Sequence, residues 1–120
     1  DEISEQVRYM GKYHIETFDD LYADRLKIDS DMNRLIEVRT KLQNKIRRAT
    51  PAEKETLREE KAGVTARIME LRKQLKMNKA IEERSVKIQE KTDMFFANEI
   101  MAQKVKEQKI RERQKGGWER

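Results

Sequence analysis

Apolar residues recur along most of the chain in steps of three, four and seven. In a first stretch they are Phe18, Leu21, Ile28, Met32, Leu35, Leu42 and Ile46. In a second they are Leu57, Val64, Ile68, Leu71 and Leu75. This spacing places one apolar stripe on each of two amphipathic helices, as in the seam of a coiled coil. Between them stands Ala49-Thr50-Pro51. Proline has no backbone N–H and disfavours helix in the residue before it, so Pro51 ends the first helix. It also suits the first position of a new one. Thr50 is then the N-cap, and Glu53 completes a capping box. So short a link makes the helices antiparallel neighbours. Folding the chain at the break sets Leu42 against Leu57, Leu35 against Val64, Ile28 against Leu71 and Met32 against Ile68.

The pattern therefore predicts an all-α fold built on a long antiparallel hairpin over 17–78, with its turn at 49–51. A short helix over 1–14 precedes it, with Ile3, Val7 and Met10 on one stripe and a kink or turn between Gly11 and Glu16. Thr17, with Asp20 three residues on, is the N-cap of the first arm. A charged helical extension covers 79–115, and the second arm can run into it unbroken through Ala80, Ile81 and Ser85. Gly116-Gly117 is expected to end that helix and to leave 116–120 a frayed tail around Trp118. The same seam also fits pairing between two chains, a homodimer with the 49–51 turn straightened.

Polar residues refine the picture. Arg25 and Arg39 fall on the seam, and Arg39 is expected near Lys61, where long stems can carry the charges out to water. Gly63 lies beside the seam as a point of close packing or of weakness. The first arm begins acidic (Glu16, Asp19, Asp20, Asp24, Asp29, Asp31) and the opposing part of the second is basic (Arg67, Arg72, Lys73, Lys76, Lys79), which predicts ion pairs of that polarity between the arms.

Met94, Phe95, Phe96, Ile100 and Met101 are the most apolar cluster, and Met94, Ala97, Met101 and Val105 share a helix face. The first expectation is that this cluster packs on Ile3, Val7 and Met10. The other is that Met94, Phe95, Phe96 and Met101 form an exposed interface for a partner.

Charged residues are 42% of the 120 and apolar ones 36%, too polar for a thick core and suited to long solvated helices. The absence of cysteine excludes disulfides, thiolate metal sites and thiol catalysis, and fits a reducing compartment. No apolar run reaches the length of a transmembrane helix, so no membrane insertion is expected. The chain opens on Asp1 in helical character and reads as a piece of a longer protein.

The net charge of +5 is uneven: residues 34–48 hold six bases and one acid, and residues 101–120 hold seven bases and three acids. Arg47, Arg48, Lys109 and Arg111 are thus the candidate nucleic-acid contacts, set against the reading of a merely solvated surface. Such contact would be to phosphate, non-specific and salt-sensitive. The basic stretch 34–48 has no interleaved aromatics, which argues against single-strand stacking.

Catalytic chemistry finds no support. His14 is the only histidine, and it sits at a predicted turn. No glycine-rich phosphate loop is present, and Ser4, Ser30 and Ser85 suggest no triad. The carboxylates are spread over helix surfaces among bases. No cofactor or metal is expected.

The order of segments resembles the C-terminal helical region of conjugative relaxases, the mobilisation nucleases of Gram-positive bacteria. The matching stretches are His14-Ile15-Glu16-Thr17 with Asp20-Leu21, Arg39 to Arg48 leading into the turn, Leu71-Arg72-Lys73-Gln74-Leu75-Lys76, and Ile81-Glu82-Glu83-Arg84-Ser85. Met77-Asn78-Lys79 departs, standing where a more apolar or cysteine-containing step is expected. The resemblance implies a cytoplasmic bacterial parent that nicks DNA at an origin of transfer, using a tyrosine and a histidine-held metal in an N-terminal domain. Tyr9, Tyr13 and Tyr22 match no nicking motif. This chain would be the accessory part, contacting DNA or transfer-machinery proteins. The alternative is a structural coiled-coil adaptor without DNA. A basic hairpin bound to RNA is the third option.

Overall fold

A computed structural model describes the backbone of residues 1–118 and the side chains of residues 1–113. It contains α1 (Glu2–Lys12), α2 (Phe18–Arg48) and α3 (Pro51–Trp118), and no strand occurs among the described residues. The chain divides into two units, Asp1–Glu82 and Glu83–Arg120.

In the first unit, α1 is capped by Asp1, whose carboxylate accepts from the Ser4 N–H at 2.9 Å. The helix passes through Gly11 and stops at Tyr13. There the Ile15 N–H reaches back to the Met10 carbonyl at 2.8 Å and the His14 N–H to Gly11 at 3.4 Å. These two bonds are the Schellman pattern, which satisfies carbonyls left open by the helix end. The pattern needs a left-handed residue after the cap, and His14 takes it with φ 54°. Ile15, Leu21 and Ile81 are buried as one cluster, against which Tyr9, Met10, Tyr13 and Met77 pack. The turn thus drives Ile15 into the core while the His14 side chain stays exposed.

The stripe expected on α1 is not the one used. Ile3 and Val7 are exposed; the inward face is Gln6, Tyr9, Met10 and Tyr13. The tyrosines cover more apolar area than Ile3 and Val7 would, and their hydroxyls let one end stay polar.

Both caps of the hairpin form as the sequence dictates. Thr17 accepts from the Asp20 N–H at 3.1 Å, and the Asp20 carboxylate accepts from the Thr17 N–H at 3.2 Å. At the tip, Thr50 and Glu53 exchange the same two bonds at 3.4 and 3.3 Å. The arms close within one chain. Leu21, Ile28, Leu42, Ile46, Ile68 and Leu71 are buried, while Leu26 and Met69, off the seam, are exposed. Ile28 and Leu71 line one groove, and Leu35 and Val64 another, so two of the facing pairs read from the spacing lie close together.

Two expectations are corrected. Among the described residues the ion pair between the arms is Arg25 with Glu82, a base on the first arm and an acid on the second. That is the reverse of the polarity expected, because Arg25 sits on the seam and reaches its partner, whereas the acids and bases at the flanks are free to point to water. Lys61 directs its ammonium to the side-chain oxygen of Gln43, one helical turn from Arg39. Helix α3 does not end at Gly116-Gly117 but runs on to Trp118. Glycine lowers helix propensity without forbidding helix; Glu119 and Arg120 lie outside the described residues.

Gly63 resolves as a weak point. A Cβ built there meets nothing within 4 Å. Gly63→Ala should therefore stabilise the hairpin by about 0.5–1 kcal/mol, through helix propensity and a less flexible unfolded chain. Urea unfolding followed by circular dichroism would read it; an unchanged or lowered midpoint would mean the position is crowded.

In the second unit, the described residues of α3 carry no buried side chain. Lys87 pairs with Glu83 at 3.2 Å and Gln89 bonds Asp93 at 3.0 Å, both one helical turn apart. No helix is long and apolar enough, over the described residues, to cross a membrane.

Candidate functional site

Three helices of the first unit converge on one asparagine. Asn78 is fully buried, continuing the seam of α3 one step beyond Leu75. Its amide donates to the Leu21 carbonyl at 2.9 Å and to the Asp24 carboxylate at 3.0 Å. Its oxygen accepts from Arg25 Nε at 3.0 Å. The same Asp24 oxygen accepts from the Tyr9 hydroxyl at 2.6 Å, which ties α1 to α2. Arg25 extends to Glu82, and the Tyr22 hydroxyl donates to that carboxylate at 3.3 Å. Arg25 also lies over the Tyr22 ring, 5.5 Å from its centroid.

Every polar group of Asn78 is satisfied, as burial demands. A lone asparagine on an apolar seam fixes which residues face each other, because any slip leaves it unpaired in an apolar layer. The network therefore sets the register and holds α1 in place. Its one buried amide is consumed by structural bonds. The surrounding groups titrate accordingly. Burial pushes the Tyr9 hydroxyl up, and its bond to Asp24 adds to that, so it stays protonated. The Arg25 guanidinium holds Glu82 below the usual carboxylate range. Asp20 is lowered by the backbone N–H of Glu16, then by that of Thr17.

The sign of the pH dependence follows. A carboxylate lowered in the folded state contributes stability that is present above its ordinary value, about 4, and is lost as pH falls through the folded value. Asp20 and Glu82 should thus lower the melting temperature on acidification below about pH 4. Tyr9 is raised, so its contribution is present below about pH 10 and lost at higher pH. Thermal melts across the range would show a plateau with two shoulders. Glu82→Gln should flatten part of the acid one, and Tyr9→Phe the alkaline one. An acid shoulder unchanged in both Glu82→Gln and Asp20→Asn would exclude this assignment.

The residues proposed from sequence lie elsewhere. Arg47 and Arg48 are exposed in the last turn of α2, beside Lys45. They suit the negative end of that helix dipole, so part of their role is local. An open groove at the hairpin tip is lined by Lys45, Arg48, Ala49, Ala52, Glu53 and Leu57, among others. Lys109 and Arg111 are exposed in the second unit.

Met94, Phe95, Phe96 and Met101 are also exposed, at 66%, 60%, 59% and 62%. Within the first unit, Ile3 and Val7 are exposed as well. The Phe95 and Phe96 rings meet edge to face at 5.9 Å. Asn78 is the site residue that the apolar pattern passes over, although the seam spacing from Leu71 and Leu75 points to it. Among the described residues, no three His, Cys, Asp or Glu side chains are grouped to hold a metal ion. No family model, no curated protein and no solved structure matches this chain.

Proposed function

We propose that this chain is a non-catalytic helical accessory region of a conjugative relaxase, acting in the bacterial cytoplasm and contacting DNA or a protein of the transfer machinery. The observation that carries the reading is where the burial falls. The stretches that resemble that family, from His14 to Leu21, from Leu71 to Lys76 and at Ile81 to Ser85, supply Ile15, Leu21, Leu71 and Ile81 to the core. The resemblance thus rests on residues with a packing role as well as on generic helix surface. The exposed Lys45, Arg47 and Arg48 supply the cations for phosphate contact.

The test is binding of the chain to labelled single-stranded and duplex DNA across a salt series. Binding that weakens steeply with salt is expected. Replacing Arg47 and Arg48 together by Ala should reduce the logarithmic salt slope by about 1 for each phosphate no longer neutralised. Absence of binding at low salt would remove direct DNA contact.

A second reading has its own observation. The uncovered Met94, Phe95, Phe96 and Met101 fit a coiled-coil adaptor that holds a protein partner, with or without DNA. A stronger affinity for structured RNA than for DNA would instead favour an RNA-bound hairpin.

A further inference from the structure

From Val86 to Arg113 the second unit is a helix whose side chains are all exposed, yet the helix is not evenly polar. Met94, Met101 and Val105 lie on one stripe with Asn98, and Ile88, Phe95, Ala97 and Ala102 flank it; all are exposed. Isolated helices gain most of their stability by burying such a stripe. The stripe continues at its ends into charged and polar side chains: Lys87 and Lys91 before Met94, Gln108 and Glu112 after Val105. These ends decide what can cover it.

Two copies side by side in parallel would set each position against itself. Lys87 would face Lys87, Lys91 would face Lys91 and Glu112 would face Glu112, with Lys104 of each copy beside Lys109 of the other. Like charges so placed are destabilising. Reversing one copy relieves each of these conflicts. Lys87 then faces Glu112, Lys91 faces Gln108, Met94 faces Val105, and Asn98 faces Met101. At the flanks Glu90 meets Arg111, Phe95 meets Ala102, and Ala97 meets the stem of Lys104. The match is specific to residues 87–112, and it closes without shifting either helix. In the single chain Lys87 is held only by Glu83, an exposed pair whose side chains are 65% and 71% accessible, so it is cheaply exchanged.

We propose that residues 87–112 form an antiparallel homodimerisation helix, in which a second copy of this chain covers the Met94–Met101–Val105 stripe. The proposal is independent of DNA contact and leaves the hairpin closed within each chain. Phe96 and Ile100 fall on the opposite side of the helix and stay open to other partners.

Sedimentation equilibrium of the chain over a concentration series is the first test, with a mass of two 14.4 kDa chains expected at the upper end. Met101→Asp, which buries a charge in the seam, should raise the dissociation constant at least about tenfold. Phe96→Ala, off the seam, should leave it unchanged. Glu90→Arg and Arg111→Glu should each weaken the dimer, and the two together should restore it.

Orientation is read by oxidation. The chain has no cysteine, so Lys91→Cys and Gln108→Cys can be introduced singly. A disulfide should form when the two variants are mixed and not within either alone. Circular dichroism melts of each variant establish that the hairpin is folded. A chain that remains monomeric throughout, a dimer that survives Met101→Asp, or disulfides formed by each variant alone would overturn the proposal.

Discussion

Asn78→Ala is expected to lower the stability of the hairpin by about 1–3 kcal/mol, because three buried hydrogen bonds are lost and a void is left in the seam. The amide now satisfies the Leu21 carbonyl and one lone pair of Asp24, and it receives the Arg25 Nε proton. Removing it takes one bond from the Leu21 carbonyl, which keeps its helical one, and leaves a void in the packed end of the hairpin. Asp24 keeps its bond from Tyr9 and Arg25 keeps Glu82, so the network loosens without vanishing. Asn78→Leu separates the two roles of the residue. It refills the space with apolar volume but makes none of the three bonds, so it should recover part of the loss while admitting other registers. Urea unfolding gives the free energies. Exchange between several conformers in the amide spectrum of Asn78→Leu would show that register depends on this residue. A loss below about 0.5 kcal/mol for Asn78→Ala would mean that water takes over its bonds at little cost.

This residue also marks the limit of what is legible in the sequence. The turn is legible because Pro51 and the Thr50–Glu53 box act through local chemistry. Bonds between residues three apart form whatever surrounds them. The seam is legible because coiled-coil spacing is a one-dimensional signal. The same spacing reaches Asn78, and folding the chain at the break sets it opposite Leu21. An apolar count passes over it because a polar side chain interrupts the pattern, although here it is a member of the seam.

What stays hidden depends on the third dimension. Arg25 pairs with Glu82 because both stand where the two arms and α1 meet, and counting charges along each arm cannot see that meeting point. The inward face of α1 is hidden in the same way. Ile3 and Val7 are the more hydrophobic positions, but Tyr9 has a hydroxyl partner, and it joins Met10 and Tyr13 in a packed cluster. Tertiary opportunity outweighs local hydrophobicity.

The candidate functional residues divide the same way. Arg47 and Arg48 are where a helix reading must leave them, exposed in a last turn. Met94, Phe95, Phe96 and Met101 are conspicuous in the sequence, and their exposure within the second unit turns the question to a partner. The first unit is braced where α1 meets the hairpin, by Tyr9, Tyr22, Asp24, Arg25, Asn78 and Glu82. The surfaces free to act are the cations of its tip and, in the second unit, an apolar stripe bounded by charges that complement their own reverse order.

Ile68→Ala and Leu71→Ala carry the other large effect. These side chains are 0% and 1% exposed, at the middle of the seam. Each should cost about 2–5 kcal/mol, the transfer energy of the removed atoms plus that of the void they leave. A two-helix layer can collapse around a void more readily than a globular core, which favours the lower half of that range. Met69, between them in sequence and 55% exposed, is the internal comparison, and Met69→Ala should change stability by no more than about 0.5 kcal/mol.

Local helix propensity cannot produce such a contrast between adjacent positions, since alanine is the better helix former in every case. The pairing across the arms can be tested in the same experiment. Ile28→Ala combined with Leu71→Ala should show a coupling of about 0.5–3 kcal/mol, as expected of side chains that touch. Ile28→Ala combined with Leu57→Ala, far apart along the seam, should be additive. Additivity in both would place the arms in a different register. Coupling in the first alone would fix the hairpin by energy as well as geometry.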